Sequence, residues 1–203
     1  MLETSLLKPN SKTLKFEEKI LRLFGSGDKR RASNLIEQHL SEKNLISNID
    51  VLKFILEPSG MTVAHKMAHL GFNFTDPEIL RLKGEDRSKF NAVFGHNGCS
   101  VAYILAKRSH IFSDPTILAL GREDNRSTVA HAMAQKGHKF DDKSILKLSD
   151  DKGVTVAHIM TRYGHVFKDP EILDLKNDYG FSVLDFQKES TNSSSSNSSA
   201  LES

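Results

Sequence analysis

Apolar and polar positions along this chain fall into a block that recurs. Thr155 to Leu175 reads TVAHIMTRYGHVFKDPEILDL, and Thr128 to Leu148 reads TVAHAMAQKGHKFDDKSILKL. Ser100 to Leu120 reads SVAYILAKRSHIFSDPTILAL, and Thr62 to Leu82 reads TVAHKMAHLGFNFTDPEILRL. A truncated fifth start, SVLDF, stands at Ser182 to Phe186. Successive starts lie 38, 28, 27 and 27 residues apart, so the period is about 27 with one long insertion. Self-similarity at a period of this size is the mark of stacked repeats.

Each block builds a helix pair. Its opening hydroxyl suits a helix N-cap, and Val156, Ala157 and Met160 then recur at near-helical spacing. Gly164-His165 ends the first helix, because glycine accepts the left-handed conformation of a C-terminal cap. Phe167 plugs the space between helices. Asp169-Pro170-Glu171 then starts a second, short helix: Asp accepts orphan N–H groups, Pro at the first position forfeits no hydrogen bond, and Glu favours the positive end of the dipole. Asp76-Pro77 and Asp114-Pro115 repeat the signal, and Asp142-Lys143 keeps the cap without the proline. One such unit cannot bury its own apolar face. Each buried apolar side chain contributes roughly 1.5–3 kcal/mol, against an ordering cost of roughly 1–2 kcal/mol per residue. Stacking on neighbours closes the balance, which predicts one cooperative array.

The motif TVAHxMAxxGHxF resembles the ankyrin repeat, in which Thr-Pro-Leu-His-x-Ala-Ala is followed by Gly-His and an apolar second helix. The resemblance covers about Thr62 to Phe186, with Val-Ala in place of Pro-Leu. It implies an all-α, helix-turn-helix solenoid, ankyrin-like, with an N-terminal helical cap. The period is shorter than the ankyrin unit of about 33 residues, and the missing residues fall where ankyrins carry a β-hairpin finger. Short connecting loops are therefore expected instead of a regular finger array. The resemblance also implies that His65, His131 and His158 are structural, tying the helix start to the adjoining backbone.

Read in order, residues 1–61 hold N-terminal helices and a capping half-repeat, 62–186 the array, and 187–203 a disordered Ser/Asn-rich tail. Lys12 to Phe24 and Asp28 to Glu42 read as helices, separated by Gly25-Ser26-Gly27. Asn44 to Leu56 aligns with the second half of a repeat, Ile46 matching the Phe plug. The long junction adds about eleven residues, roughly 87–98, including Phe90, Phe94 and His96. An insertion in a repeat protein projects from one face and often binds; the alternative is a loop packed locally on its two Phe residues. The tail is similar to the polar C-terminal signals of effectors that bacteria deliver into host cells by type IV secretion; the alternative is an appended remnant.

Composition narrows the function classes. Twenty-eight basic against 26 acidic residues leave a net charge of +2, which gives no electrostatic case for nucleic acid or membrane. Hydrophobic content of 38% suits thin repeat layers. Cys99, the one cysteine, excludes an intramolecular disulfide and suits a reducing compartment. No run approaches a membrane span and the N-terminus lacks a signal-peptide core. These readings predict a cytoplasmic protein, in a host cytosol if it is an exported effector, and a monomer on its own.

Nine histidines invite catalytic or metal chemistry. Yet Tyr103 replaces the first repeat histidine in one block, and Phe72 replaces the series His110, His138 and His165 in another. A ligand set would not tolerate those replacements; packing and hydrogen bonding would. His65 and His69 have the i, i+4 spacing of a zinc pair but lack a nearby Glu or third ligand. His96 and Cys99 suggest a base and thiol with no acid or oxyanion partner. Phosphate-binding and nucleophile-elbow motifs are missing from the sequence. No enzyme and no cofactor is expected. What remains is a surface: in an ankyrin-like stack the variable first-helix positions align, here Lys66, His69 and Leu70, Lys107 and Arg108, Gln135 and Lys136, Arg162 and Tyr163. Arg and Tyr are enriched at interface hot spots. A partner-binding scaffold that inhibits, recruits or sequesters a protein is the leading expectation, with His69, Lys107, Arg108, Lys136, Arg162, Tyr163 and the insertion as its contacts. The competing class is an enzyme or metal protein using the His-rich repeats; nucleic-acid binding through helix-turn-helix pairs is a third.

Overall fold

A computed structural model describes residues 11–42, 44–57, 59–84, 98–123 and 125–195 of the chain. Among these the fold is all-helical, with isolated β-bridges in place of strands. Helices pack in adjacent pairs, the arrangement of a helical-repeat solenoid. The chain divides into two compact units, Met1–Arg108 and Ser109–Ser203.

The first unit opens with α1 (Ser11–Gly25) packed on α2 (Lys29–Ser41). Asp28 caps α2 by accepting the Arg31 N–H. Helix α3 (Ile49–Leu52) is a single turn whose N-cap is Asn48, and Ile46 is buried just before it. Glu17 of α1 anchors this segment. Its buried carboxylate accepts the backbone N–H groups of Ser47 (2.6 Å) and Asn48 (2.9 Å) and the Ser47 hydroxyl (3.2 Å). Then come α4 (Val63–His69), α5 (Pro77–Leu80) and α6 (Val101–Lys107), with α4 and α5 both against α6. All six residues from Val101 to Ala106 are buried.

The second unit contains α7 (Pro115–Leu118), α8 (Val129–Ala134), α9 (Lys143–Leu146), α10 (Val156–Arg162), α11 (Pro170–Leu173) and α12 (Val183–Ser195). Helix α10 packs between α8 and α12. Alanines at 130, 134 and 157 are buried and let these helices approach closely.

Local chemistry sets every boundary of the repeats. Thr62, Ser100, Thr128 and Thr155 cap the longer helices, each hydroxyl accepting the N–H three residues on. Asp76, Asp114, Asp142 and Asp169 cap the one-turn helices through the N–H two residues on. Phe112, Phe140 and Phe167 are the buried plugs, each with the preceding histidine at its ring, centroids 4.6, 4.7 and 4.5 Å apart. The second histidine series therefore packs, as its tolerance of Phe72 implies.

Each repeat junction is pinned at its base by one antiparallel bridge. A bridge forms at Ile55–Thr62, Lys83–Ser100, Gly121–Thr128, Ser149–Thr155 and Lys176–Ser182. In the second unit successive hairpins are also joined, Asp151 N–H to Asn125 O and Asp178 N–H to Lys152 O, both 3.0 Å. Short junctions still close because Asp150 and Asn177 carboxyl or amide oxygens take two N–H groups each inside their own turns. Beyond the last repeat motif, residues 187–195 continue α12. Asp185 reaches back to Ser182 at the helix start, Phe186 lies edge-on to His158 (5.1 Å), and the Gln187 amide accepts the Phe167 N–H (3.0 Å). These contacts carry the helix past the last repeat motif. Residues 196–203 and most of the insertion, 85–97, lie outside the described residues.

Candidate functional site

The three repeat histidines are buried and built into seams between consecutive repeats. His65 Nε2 lies 2.9 Å from Cys99 O, His131 Nε2 2.9 Å from Val154 O, and His158 Nε2 3.2 Å from Phe181 O. Each acceptor is the carbonyl just before the next repeat's capping residue. A carbonyl only accepts, so Nε2 carries the proton. Nδ1 then accepts the hydroxyl of Thr62, Thr128 or Thr155 at 2.6–2.7 Å. At His131 and His158 the capping threonine's own N–H also reaches Nδ1, at 3.2 Å. Both nitrogens are thus spent on the protein, and at His131 and His158, where Nδ1 accepts a backbone N–H, the ring is held neutral. Burial pushes His131 and His158 below the usual histidine range, against the opposing pull of their carbonyl bonds and of Asp150. A ring fixed in this way has no lone pair for a metal and no free proton for catalysis.

His65 is therefore engaged on both sides, and His69 is half-buried one turn on. Among the described residues no group of three or more His, Cys, Asp or Glu could hold a metal ion. Cys99 is buried, and it is its carbonyl that meets His65. Phe90, Phe94 and His96 lie outside the described residues.

The variable first-helix positions divide into engaged and open groups. In the first unit Lys66 pairs with Glu37 of α2 at 3.6 Å, and Lys107 lies over the Tyr103 ring at 5.9 Å. The Arg108 guanidinium covers the Gly71 turn, 3.4 Å from where a Cβ on that glycine would stand. In the second unit Arg162 stacks on Phe186 of α12 at 5.5 Å. Tyr163, by contrast, is 58% exposed, and it lines an open groove of about 190 Å³ at the C-terminal ends of α8 and α10. Ala134 and Met160 form the apolar floor, and His138, Lys139 and His165 complete the walls. Nothing stands within 4 Å of a Cβ placed on Gly137 at its rim. Lys136 is exposed beside that glycine. Burial, then the charge of Lys139, depresses His165, with Asp141 opposing.

Of the contacts expected from sequence Tyr163 lines this groove; His138, Lys139 and His165, which also line it, were not among them. Their meeting depends on the register of two turns, which the period alone encodes. Sequence reasoning also missed a clamp on the one-turn helices. Lys143, standing where other repeats have proline, contacts Asp169 at 2.7 Å and Glu171 at 2.8 Å, while Lys147 also bonds Glu171. These lysines hold Glu171 far down, at about 2, and raise Lys143 in turn. Lys53 and Glu78 make a similar link in the first unit.

The fold and its seams define a helical-repeat protein. No family model matches the chain, and no curated relative matches it. Among solved structures it is similar to a chain of the complex of the Bd0816 predatory endopeptidase from Bdellovibrio bacteriovorus with the immunity protein Bd3460. That likeness has a TM-score of 0.43 and 19% identity, covering 84% of this chain and 92% of the other. Agreement at this level carries no functional conclusion across. No described helix is long and apolar enough to cross a membrane.

Proposed function

We propose that this chain is a non-catalytic, ankyrin-like repeat scaffold that binds a protein partner in a cytosol, as an inhibitor, adaptor or sequestering module. The observation that supports it most is the division of labour on the first helices. The residues that recur, Thr or Ser and His, are buried and consumed in repeat-to-repeat bonds. The residues that vary, such as Lys136, Arg162 and Tyr163, face solvent in register on the same helices. A frame held constant beneath a changing surface is how repeat proteins present binding faces. The competing metal or enzyme reading needs histidines whose ring nitrogens are available, and the seam bonds of His65, His131 and His158 speak against it.

The test is affinity capture by the immobilised full chain from bacterial and eukaryotic lysates, with quantitative mass spectrometry and metal analysis of the purified protein. One stoichiometric protein partner is the expected result, and the lysate that supplies it distinguishes an endogenous regulator from an exported effector. Comparing the chain with a deletion of Arg87–Gly98 tests whether the insertion contributes. No partner from either lysate, together with stoichiometric zinc in the purified chain, would overturn the scaffold reading in favour of the metal protein.

A further inference from the structure

Resting on that reading and deepening it, we infer that the hairpin at Lys176–Ser182 is a docking surface for a turn of the partner protein that presents a free backbone N–H. The array itself shows how such a hairpin is covered. Hairpin 149–155 receives the next one: Asp178 N–H donates to Lys152 O at 3.0 Å, as Asp151 N–H does to Asn125 O one repeat earlier. The contact is close, since a Cβ on Gly153 would meet Asp178 Oδ1 at 2.6 Å and Asn177 Cα at 3.2 Å. Hairpin 176–182 repeats the platform, with the same bridge at its base and Gly180 (φ +82) in the place of Gly153 (φ +68). Its outer side is open. Among the described residues nothing stands within 4 Å of a Cβ on Gly180, and Tyr179 O, the counterpart of Asn125 O and Lys152 O, receives no hydrogen bond. The residue before each repeat's cap position follows suit: Ser127 is buried, Val154 half-buried and Phe181 52% exposed, with Tyr179 exposed beside it. A position covered in the earlier hairpins is thus an open aromatic in this one, and aromatic residues are enriched at interfaces.

Hydrogen-bond sense selects the occupant. Every N–H from Asn177 to Ser182 is already given away: Asn177 to Phe181 O, Asp178 to Lys152 O, Tyr179 and Phe181 to Asn177 Oδ1, Gly180 to Asn177 O, and Ser182 to Asp185. The backbone of this hairpin can therefore only accept. A second copy set against it hairpin to hairpin would match acceptor with acceptor. The hairpin at Ile55–Thr62 is no better a mate, because the Glu57 N–H is spent on the Ser33 hydroxyl of α2 at 3.1 Å. Both points favour a foreign turn over self-association. Main-chain bonding of this kind gives affinity, and the flanking side chains give specificity. Charge plays a smaller part. Residues 149–155 and 174–188 carry five Asp against three Lys, a slight acidic excess that tells against an acidic turn. Recognition rests on the Tyr179 carbonyl, the open Gly180 and the two rings.

The experiment titrates the ¹⁵N-labelled full chain with a disulfide-cyclised peptide spanning residues 176–182, the turn that already docks on hairpin 149–155. Detached from the array, its Asp178 N–H is free to donate. Its controls are the same peptide N-methylated at that N–H and a scrambled cyclic peptide. The expected result is saturable binding on the order of 1 mM, with shifts concentrated in residues 178–182 and about fivefold weakening by the N-methyl group. A chain carrying Tyr179→Lys and Phe181→Val together has the side chains of the covered hairpin, both at exposed positions. Checked for unchanged melting, it should bind the peptide at least about threefold more weakly. Several results would overturn the inference: no saturable shift up to about 10 mM, shifts centred elsewhere, equal binding by either control peptide, or equal binding by the double variant. A dimer of the intact chain in sedimentation, dissolved by the double substitution, would also overturn it by making a second copy the occupant. Lysate capture separates the two levels of the argument. A stoichiometric partner retained equally by the double variant sinks the docking surface and leaves the scaffold, whereas the absence of any partner for the intact chain sinks both.

Discussion

The two ends of the first helices obey different rules. At their N-terminal ends the residues repeat, the side chains are buried, and the partners belong to the next repeat: Thr62–His65–Cys99, Thr128–His131–Val154, Thr155–His158–Phe181. At their C-terminal ends the residue before the turn changes in every repeat, from Leu70 to Arg108, Lys136 and Tyr163, and all four are exposed. The lesson is that one end of each helix is committed to holding the repeats together, while the other end is left to solvent. Substitutions should separate along that axis.

The strongest challenge to the comparison is Gly153→Ala, at the junction beside the N-terminal seam. Gly153 has φ +68, and a Cβ there would lie 2.6 Å from Asp178 Oδ1, 2.9 Å from Asp178 N and 3.2 Å from Asn177 Cα. The obstacle includes backbone, and moving it would break the Asp178 N–H to Lys152 O bond. Left-handed strain of about 1–2 kcal/mol, a lost backbone bond of about 0.5–1.5 kcal/mol and the steric overlap itself give an expected loss of roughly 3 kcal/mol. Denaturant unfolding measures it. A loss below about 0.5 kcal/mol, the size of an ordinary surface change, would mean that successive hairpins are not locked together.

His131→Ala comes next. It strands the Val154 carbonyl and the Thr128 hydroxyl and opens a void, for an expected cost of about 2–4 kcal/mol. Lys136→Ala, at the other end of the same helix, should stay within about 0.5 kcal/mol. Equal effects from the two would erase the distinction between the ends.

Acid sharpens the same contrast. His131 and His158 have folded-state pKa values below the ordinary 6.5, chiefly through burial, and His39, His110 and His165 move the same way. Below pH 6.5 the unfolded chain therefore binds more protons than the folded one. The stability these groups contribute is present above that pH and is lost as pH falls through their folded values. Melting temperature should drop between pH 7 and pH 5, and less steeply in His131→Ala. An equal slope in the variant would place the acid sensitivity outside the seam.

How much of this was legible in sequence follows from the range of each interaction. The caps were readable because Thr-x-x-His and Asp-Pro act within one turn and recur at a fixed period, whereas the tie from the histidines to the adjoining backbone was only what the ankyrin resemblance implied. The hairpin ladder was not readable, because Asp151 to Asn125 and Asp178 to Lys152 are backbone bonds that leave little trace in residue identity. Glu17 looked like one more polar helix position, since its partners Ser47 and Asn48 are about thirty residues away. Lys143 was visible only as a missing proline, its role resting on Asp169 and Glu171 of the following repeat. The groove between the turns was half legible: Tyr163 stood out as a variable aromatic, while Lys139 and His165 meet it only through the stacking of two turns.

A smaller stability effect than at the seams is expected at the turns themselves, and it is a gain. Three of the four first-helix turns place glycine at positive φ: Gly71 at 95, Gly137 at 84 and Gly164 at 85. The second of the four blocks puts Ser109 there, at φ 68. An L-residue in the left-handed region is strained by its Cβ, whereas glycine is not. Ser109→Gly relieves that strain, and the larger conformational freedom of glycine in the unfolded chain offsets part of it. The net expectation is a stabilisation of about 0.5–1 kcal/mol, read as a higher denaturation midpoint with an unchanged denaturant slope. A loss of stability instead would show that the Ser109 side chain contributes to the turn. The C-terminal ends would then carry a side-chain requirement of their own, and the freedom assigned to them would shrink to the residues that precede the turn.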